Sequence, residues 1–192
     1  MEKDWDAKAA ELAAAHDNVL TNEMLDAVGI SKEFRATKVR RKAWQQPHEG
    51  VFFHSAQPPT WRQLARIAYY AAGIDSMISG VTLLALRGAD GAEDPPVEIT
   101  VPDNRDLVIA GVTVVRSRRG LGPTRWCDGL RVSCVERALL DYAATASEVD
   151  VERAVESMLL RGFTAELQLW RGLIEYGGRG VPVPLQAVWA EE

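Results

Sequence analysis

The chain has 192 residues, 47% of them hydrophobic, with 27 acids against 22 lysines and arginines and a formal charge of −5 at pH 7. That suits one medium domain or two small ones with a true core. It excludes a protein that attracts polyanions through its overall field, a membrane helix of about 18 apolar residues, and a disulfide framework, since Cys127 and Cys134 are the only cysteines.

The amino-terminal MEKDWDAK lacks the apolar stretch of a signal peptide, so a cytoplasmic globular protein is expected. From Asp4 to His16, Trp5, Ala9, Leu12, Ala13 and His16 recur at helical spacing. Thr21 is a natural N-cap for a short helix from Asn22 to Val28, with Glu23 in the first turn. Gly29 supplies the left-handed residue that stops it, Ile30 follows, and Ser31 caps the next helix at once. Two helices joined by Gly-Ile-Ser form the connection of a helix-turn-helix. Residues Gly50 to His54 read as a short apolar strand after a turn-rich stretch, in the position of a wing.

Pro58-Pro59 marks a boundary, which gives a DNA-binding domain over residues 1–57 and a second, mixed domain over 58–192. Thr60 with Gln63 forms a capping box for a helix to Ala72, and Ser79 caps a compact apolar helix through Leu86. Residues 89–96 form an acidic loop. Val97–Val101 and Val112–Val115 alternate as strands, with an apolar piece at Leu107–Ile109 and a short strand at Leu130–Val132. Ser133 with Glu136 reads as a second capping box, and Ser147 with Asp150 opens a further helix. Thr164 starts the last helix, with Leu167, Trp170 and Ile174 on one side and Trp170 expected in the core, and the tail from Gly177 reads as irregular. The expected fold is α+β: a winged helix-turn-helix, then a mixed domain with a small antiparallel sheet and carboxy-terminal helices.

The segment Ser31–Trp44, SKEFRATKVRRKAW, sets six cations against the single acid Glu33, whereas the thirty residues before it hold seven acids and two lysines. On a helical wheel Ala36, Val39 and Ala43 share a core face; Arg35, Lys38, Arg41 and Lys42 share the open face; Phe34 intrudes on the basic arc and Arg40 lies outside it. A basic face on the second helix of such a pair fits a reader of double-stranded DNA. Lys32, Arg35 and Lys38 are expected to reach the major groove, Arg40, Arg41 and Lys42 to grip the backbone, and Thr21 and Ser31 to set helix ends against phosphates. Arg116, Arg118 and Arg119, in SRRGLGPTRW, are candidates for an auxiliary backbone clamp or for pairing with nearby acids.

The run LTNEMLDAVGISKEFRATKVRRKAW…EGVFFH resembles the amino-terminal winged helix of AbiEi-type antitoxins, the transcriptional half of type IV toxin–antitoxin systems. SGVTLLALRG, PPVEITVP, GVTVVRSR, DGLRVSCVERALLDYA and LLRGFTAEL continue the resemblance in order over roughly residues 18–175. It implies a promoter-binding repressor acting in phage defence, with Ser31–Lys42 as the reading helix and Gly50–Phe53 as the wing. The implied partner system is a nucleotidyltransferase-like toxin, without obligatory direct contact. The chain departs from the group at Lys42-Ala43-Trp44, where Gly-Arg-Leu is common, and at Ser79-Gly80, where Ser-His is common. Many relatives continue into a nuclease-like domain; the chain reads as a short form without it.

Other chemistry finds less support. Asp90, Glu93, Asp94 and Glu98 faintly resemble a metal-dependent nuclease, but Thr100 stands where a lysine is needed. His16, His48, His54 and the two cysteines have no metal-ligand spacing, and Ser133 lies in no nucleophile elbow. No cofactor, metal or catalysis is expected. The alternative is an orphan or phage-related regulator acting as a protein-interaction module through its second domain.

Overall fold

A computed structural model of the chain describes residues 2–118 and 120–176. The tail expected to be irregular, 177–192, and the candidate Arg119 lie outside the described residues.

The first third runs α1 (Glu2–Ala14), β1 (Val19–Thr21), α2 (Asn22–Ala27), α3 (Lys32–Arg40), β2 (Gln45–His48) and β3 (Val51–Phe53). Both expected caps form: the Thr21 hydroxyl accepts from the Met24 amide and that of Ser31 from the Phe34 amide, each at 3.3 Å. Two strands were not foreseen. β1 is three residues ahead of a helix, and β2 holds a proline, yet both pair antiparallel with β3 in the order β1-β3-β2.

This small sheet is covered on both sides, which explains why Val51-Phe52-Phe53 shows no alternation. The opposed pair Leu20 and Phe52 faces the helices, in a cluster with Ala9, Ala13, Leu25, Ile30, Phe34 and Trp44. Val19 and Phe53, opposed on the other face, join the core of the rest of the chain. The residue that covers them comes from α4 (Trp61–Ala72), opened by the Thr60–Gln63 capping box and packed against β1 and β3.

Beyond it come β4 (Met77–Ile78), α5 (Gly80–Leu86), β5 (Val97–Pro102), β6 (Val112–Ser117), β7 (Thr124–Cys127), β8 (Leu130–Ser133), α6 (Val135–Ala143), α7 (Glu148–Leu160) and α8 (Glu166–Tyr176). The chain is therefore mixed α+β. Its second sheet has five strands in the order β6-β5-β4-β8-β7 and is itself mixed rather than antiparallel: β5 runs parallel to β6, and β4 to β8. Alternation of side chains specifies faces and not strand direction, and the linker between β5 and β6 crosses over without a helix. Leu107 and Ile109 lie in that linker, outside any strand but buried.

Three local expectations are corrected. The second capping box does not form: Cys134 is the N-cap of α6, and Ser133 ends β8 with a buried hydroxyl that has no hydrogen-bond partner. Ser79 precedes α5, but its hydroxyl meets that of Thr100 at 2.8 Å instead of capping. In α8 the apolar stripe faces outward: Leu167, Trp170 and Ile174 are exposed, while Leu169, Gly172 and Leu173 pack inside. Gly172 allows the close approach, because a Cβ there would stand 2.6 Å from Cβ of Glu136. Helix periodicity could not choose between two apolar faces.

Arg66 of α4 ties the two halves together. Its buried guanidinium donates from Nε to Asp17 at 2.7 Å, in the turn before β1, and from Nη2 to the Asp128 carbonyl at 2.9 Å, in the β7–β8 turn. Arg66→Ala leaves that carbonyl without its donor and is expected to lower stability by about 3 kcal/mol in urea unfolding. Arg62→Ala, which breaks an exposed pair with Asp128 and a contact over the Trp61 ring, should cost less than about 1 kcal/mol. Equal losses for the two variants would contradict this assignment.

Candidate nucleic-acid interface

The candidate interface is built on the α2–α3 connection. The Gly29 amide donates to the Asp26 carbonyl at 3.0 Å and the Ile30 amide to that of Leu25 at 2.9 Å, with Gly29 at φ +76°, the paired bonds of a Schellman stop. Ile30 is buried and Ser31 then starts α3.

Arg35 fixes the angle between the helices. It is 2% exposed, and its guanidinium donates to the Asn22 side chain at 2.8 Å, to the Ile30 carbonyl at 2.5 Å and to the carboxylate of Asp26. The expectation that Arg35 reaches the major groove is therefore corrected: this residue holds both ends of α2 and the turn. Lys38, expected beside it, points back as well, pairing with Asp6 of α1 at 2.5 Å and lying 5.0 Å from the Phe34 ring centre.

The wheel is rotated relative to the sequence reading because Phe34 is core. Its ring meets Trp5 at 5.4 Å and Trp44 at 6.0 Å between centroids, and Trp44 continues the cluster to Phe52 and His54. Burying a phenylalanine stabilises by roughly 1.5–3 kcal/mol, far more than burying an alanine, so α3 turns Phe34 inward and leaves Ala36 and Ala43 exposed. The open face consists of Lys32, Glu33, Ala36 and Arg40, extended by Arg41 and Lys42. Those four cations form no ion pair among the described residues. Glu33 stays charged, its pKa lowered by its own amide and the Ser31 side chain at the helix start.

The wing candidate Gly50–Phe53 supplies little outward chemistry. Val51, Phe52 and Phe53 are buried, and the Gly50 carbonyl accepts from the Asn22 amide at 2.9 Å, which seats the hairpin tip on the start of α2. Exposed residues of the hairpin are Gln46, Pro47 and Glu49.

The second basic element lies apart from α3. Arg116 pairs with Asp106 at 3.0 Å and donates to the Arg105 carbonyl, and Arg118, 88% exposed, approaches Asp103 at 3.5 Å. Pairing with nearby acids, the simpler of the two expectations, is what these two residues show. Of the acids weighed as a nuclease cluster, Glu98 is turned toward α5: a Cβ on Gly80 would overlap its carboxyl, and the Val81 amide donates to it. No group of three metal-ligating side chains occurs among the described residues.

Lys42 occupies a place that sequence reasoning recognised only as a departure. It has φ +57°, with its amide on the Val39 carbonyl and the Ala43 amide on that of Lys38, so α3 ends in a second Schellman stop with lysine in the left-handed position. Lys42→Gly should raise stability by up to about 1 kcal/mol in chemical unfolding; a loss of stability would refute the strain. Glu98 offers a pH test. Burial, with Asp141 adding repulsion, raises its pKa above the ordinary 4.5 despite the Val81 amide. The unfolded chain then releases this proton more readily, so stability falls as pH rises through 4.5 toward the folded value. Glu98→Gln should melt higher than the parent near neutrality and lose that advantage in acid below 4.5. A constant difference across the range would exclude the carboxyl as its source.

Compared with known proteins, the chain matches no family model, and no curated protein matches it significantly.

Proposed function

We propose that the chain is a sequence-specific DNA-binding repressor with a winged helix-turn-helix, of the AbiEi antitoxin type, in which α3 is the reading helix. The observation that carries this reading is the face left open on α3: Lys32, Arg40, Arg41 and Lys42, without an ion pair among the described residues, in a protein of net charge −5, above a turn held rigid by Arg35. The order α1-β1-α2-α3-β2-β3, with a three-stranded sheet beneath the helices, supports it. Lys32, Glu33 and Ala36 occupy the amino-terminal part of the helix, from which base edges are read, and Glu33 can accept from a cytosine amino group. Arg40, Arg41 and Lys42 at the other end bind phosphates. Thr21 and Ser31, engaged as caps, act by orienting the two helix ends. A cognate toxin belongs to this reading as a neighbour in function, without direct contact.

The exposed Leu167 and Ile174 on α8, 62% and 83% accessible, favour a second reading in which the carboxy-terminal helices carry a protein interaction.

Binding to the DNA upstream of the chain's own reading frame, followed by fluorescence anisotropy over a salt series, tests the first reading. The parent protein should bind that DNA at least about tenfold more tightly than unrelated DNA. Arg40→Ala/Arg41→Ala should weaken binding to all sequences and reduce the salt slope by about 1–2. Lys32→Ala should narrow the gap between specific and unrelated DNA. Arg35→Ala should instead lower the melting temperature. Failure of the folded parent to bind, or an unchanged salt slope in the double variant, would reject the reading.

A further inference from the structure

A second cluster of unpaired cations lies away from α3. A cavity of about 490 Å³ opens between the end of α5, the β7–β8 hairpin, the start of α6 and the face of α8. Arg87, Arg125 and Arg171 line it from three different elements, and none is ion-paired among the described residues. Two carboxylates share the wall, Glu136 and Glu175, and the first is engaged by the Thr164 hydroxyl at 2.5 Å. The arginines thus leave an excess of positive charge.

Of the three buried side-chain polar atoms without hydrogen-bond partners among the described residues, two belong to residues of this wall: Nε of Arg87 and the hydroxyl of Ser133, a residue 2% exposed; the third is Nε of Arg35. Unmet buried donors are expensive, and two at one cavity call for a partner. The nine-residue α6 begins here with Cys134 as its N-cap, which makes no side-chain cap bond, and with Glu136 in its first turn. A helix start favours an anion, and the Glu136 carboxylate beside it is held by the Thr164 hydroxyl.

The remaining wall is aromatic. Trp126 is 64% exposed, Phe163 carries the Arg87 guanidinium 4.7 Å from its ring centre, and Tyr176 closes one end. The volume lies in the range of small-molecule sites, roughly 300–1,000 Å³, and is much larger than a bare phosphate requires.

We propose that this cavity binds a small phosphorylated ligand with a planar ring, of the mononucleotide class. The phosphate sits among Arg87, Arg125, Arg171 and the start of α6, where Ser133 supplies a hydroxyl. The ring lies against Trp126 or Phe163. This assignment does not depend on the DNA-binding reading.

Calorimetric titration of the intact chain tests it, with AMP, GMP, CMP and UMP as probes and adenosine and inorganic phosphate as the two half-ligands. At least one mononucleotide should bind saturably, and each half-ligand at least about tenfold more weakly. Arg125→Gln/Arg171→Gln, which alters two exposed side chains, should weaken mononucleotide binding by about tenfold or more while leaving the melting temperature of the free protein unchanged. Ser133→Ala should weaken it by a smaller factor. Absence of binding for all four mononucleotides, undiminished affinity in the double variant, or inorganic phosphate binding as tightly as a mononucleotide would each overturn the proposal.

Discussion

The guanidinium of Arg35 is the constraint on which the α2–α3 unit depends. A Schellman stop can set where α2 ends, but two short helices joined by a tight turn keep a free angle unless something spans them. Arg35 reaches Asn22 at one end of α2, Asp26 at the other and the Ile30 carbonyl in the turn that follows. A planar fork with fixed donor directions can meet three acceptors at set angles, which the mobile ammonium of lysine cannot do. The arginine that looked best placed to read DNA is thereby spent on geometry, and the exposed face of α3 follows from where it points.

A similar device works at larger scale. The β1–β3 pair of the small sheet is covered on both faces: Leu20 and Phe52 go to the helices, Val19 and Phe53 to α4. The turn before β1 and the β7–β8 turn both place an aspartate at positive φ, Asp17 and Asp128, and Arg66 joins them. The orientation of α3 relative to the carboxy-terminal half is thus set by packed β-strands and one buried arginine, with the connecting segment tied down as well, since Gln45 donates to the Ser55 and Gln57 carbonyls.

Signals that act over a few residues were legible in the sequence. Thr21, Ser31, Thr60 and Gly29 each satisfy a local hydrogen-bond or φ requirement, and all four behave as the residue types dictate. Signals that depend on what lies opposite were not. The direction of β6 follows from a crossover linker that alternation does not reveal, and the rotation of α3 and the inward face of α8 are decided by volume: Phe34 displaces Ala36 from the core, and Gly172 lets α8 approach Glu136 more closely than any side chain would permit. A helical wheel weighs positions equally, whereas packing weighs them by buried area. That difference moved Arg35 and Phe34 inside together, since they are adjacent and the helix turned toward both. On the candidate helix the sequence picked out four cations that the fold leaves exposed, and placed outward two, Arg35 and Lys38, that pair with Asp26 and Asp6 of other helices.

Pairing also explains where the remaining positive charge can act. Acids outnumber bases in this chain, so most cations near an acid are neutralised, as Arg62, Arg66, Arg116, Arg137 and Arg161 are. Lys32, Arg40, Arg41 and Lys42 escape because α3 presents them away from α1 and α2, where Asp4, Asp6 and Asp26 are taken up by Lys8, Lys38 and Arg35. The Arg35–Asp26 pair therefore does two things at once. It fixes the turn, and it offsets the charge of an exposed acid that would otherwise oppose the open face. With a Debye length of about 8 Å at physiological salt, the distant acids of the second half are screened from that face, and the local excess of positive charge is what a polyanion would meet.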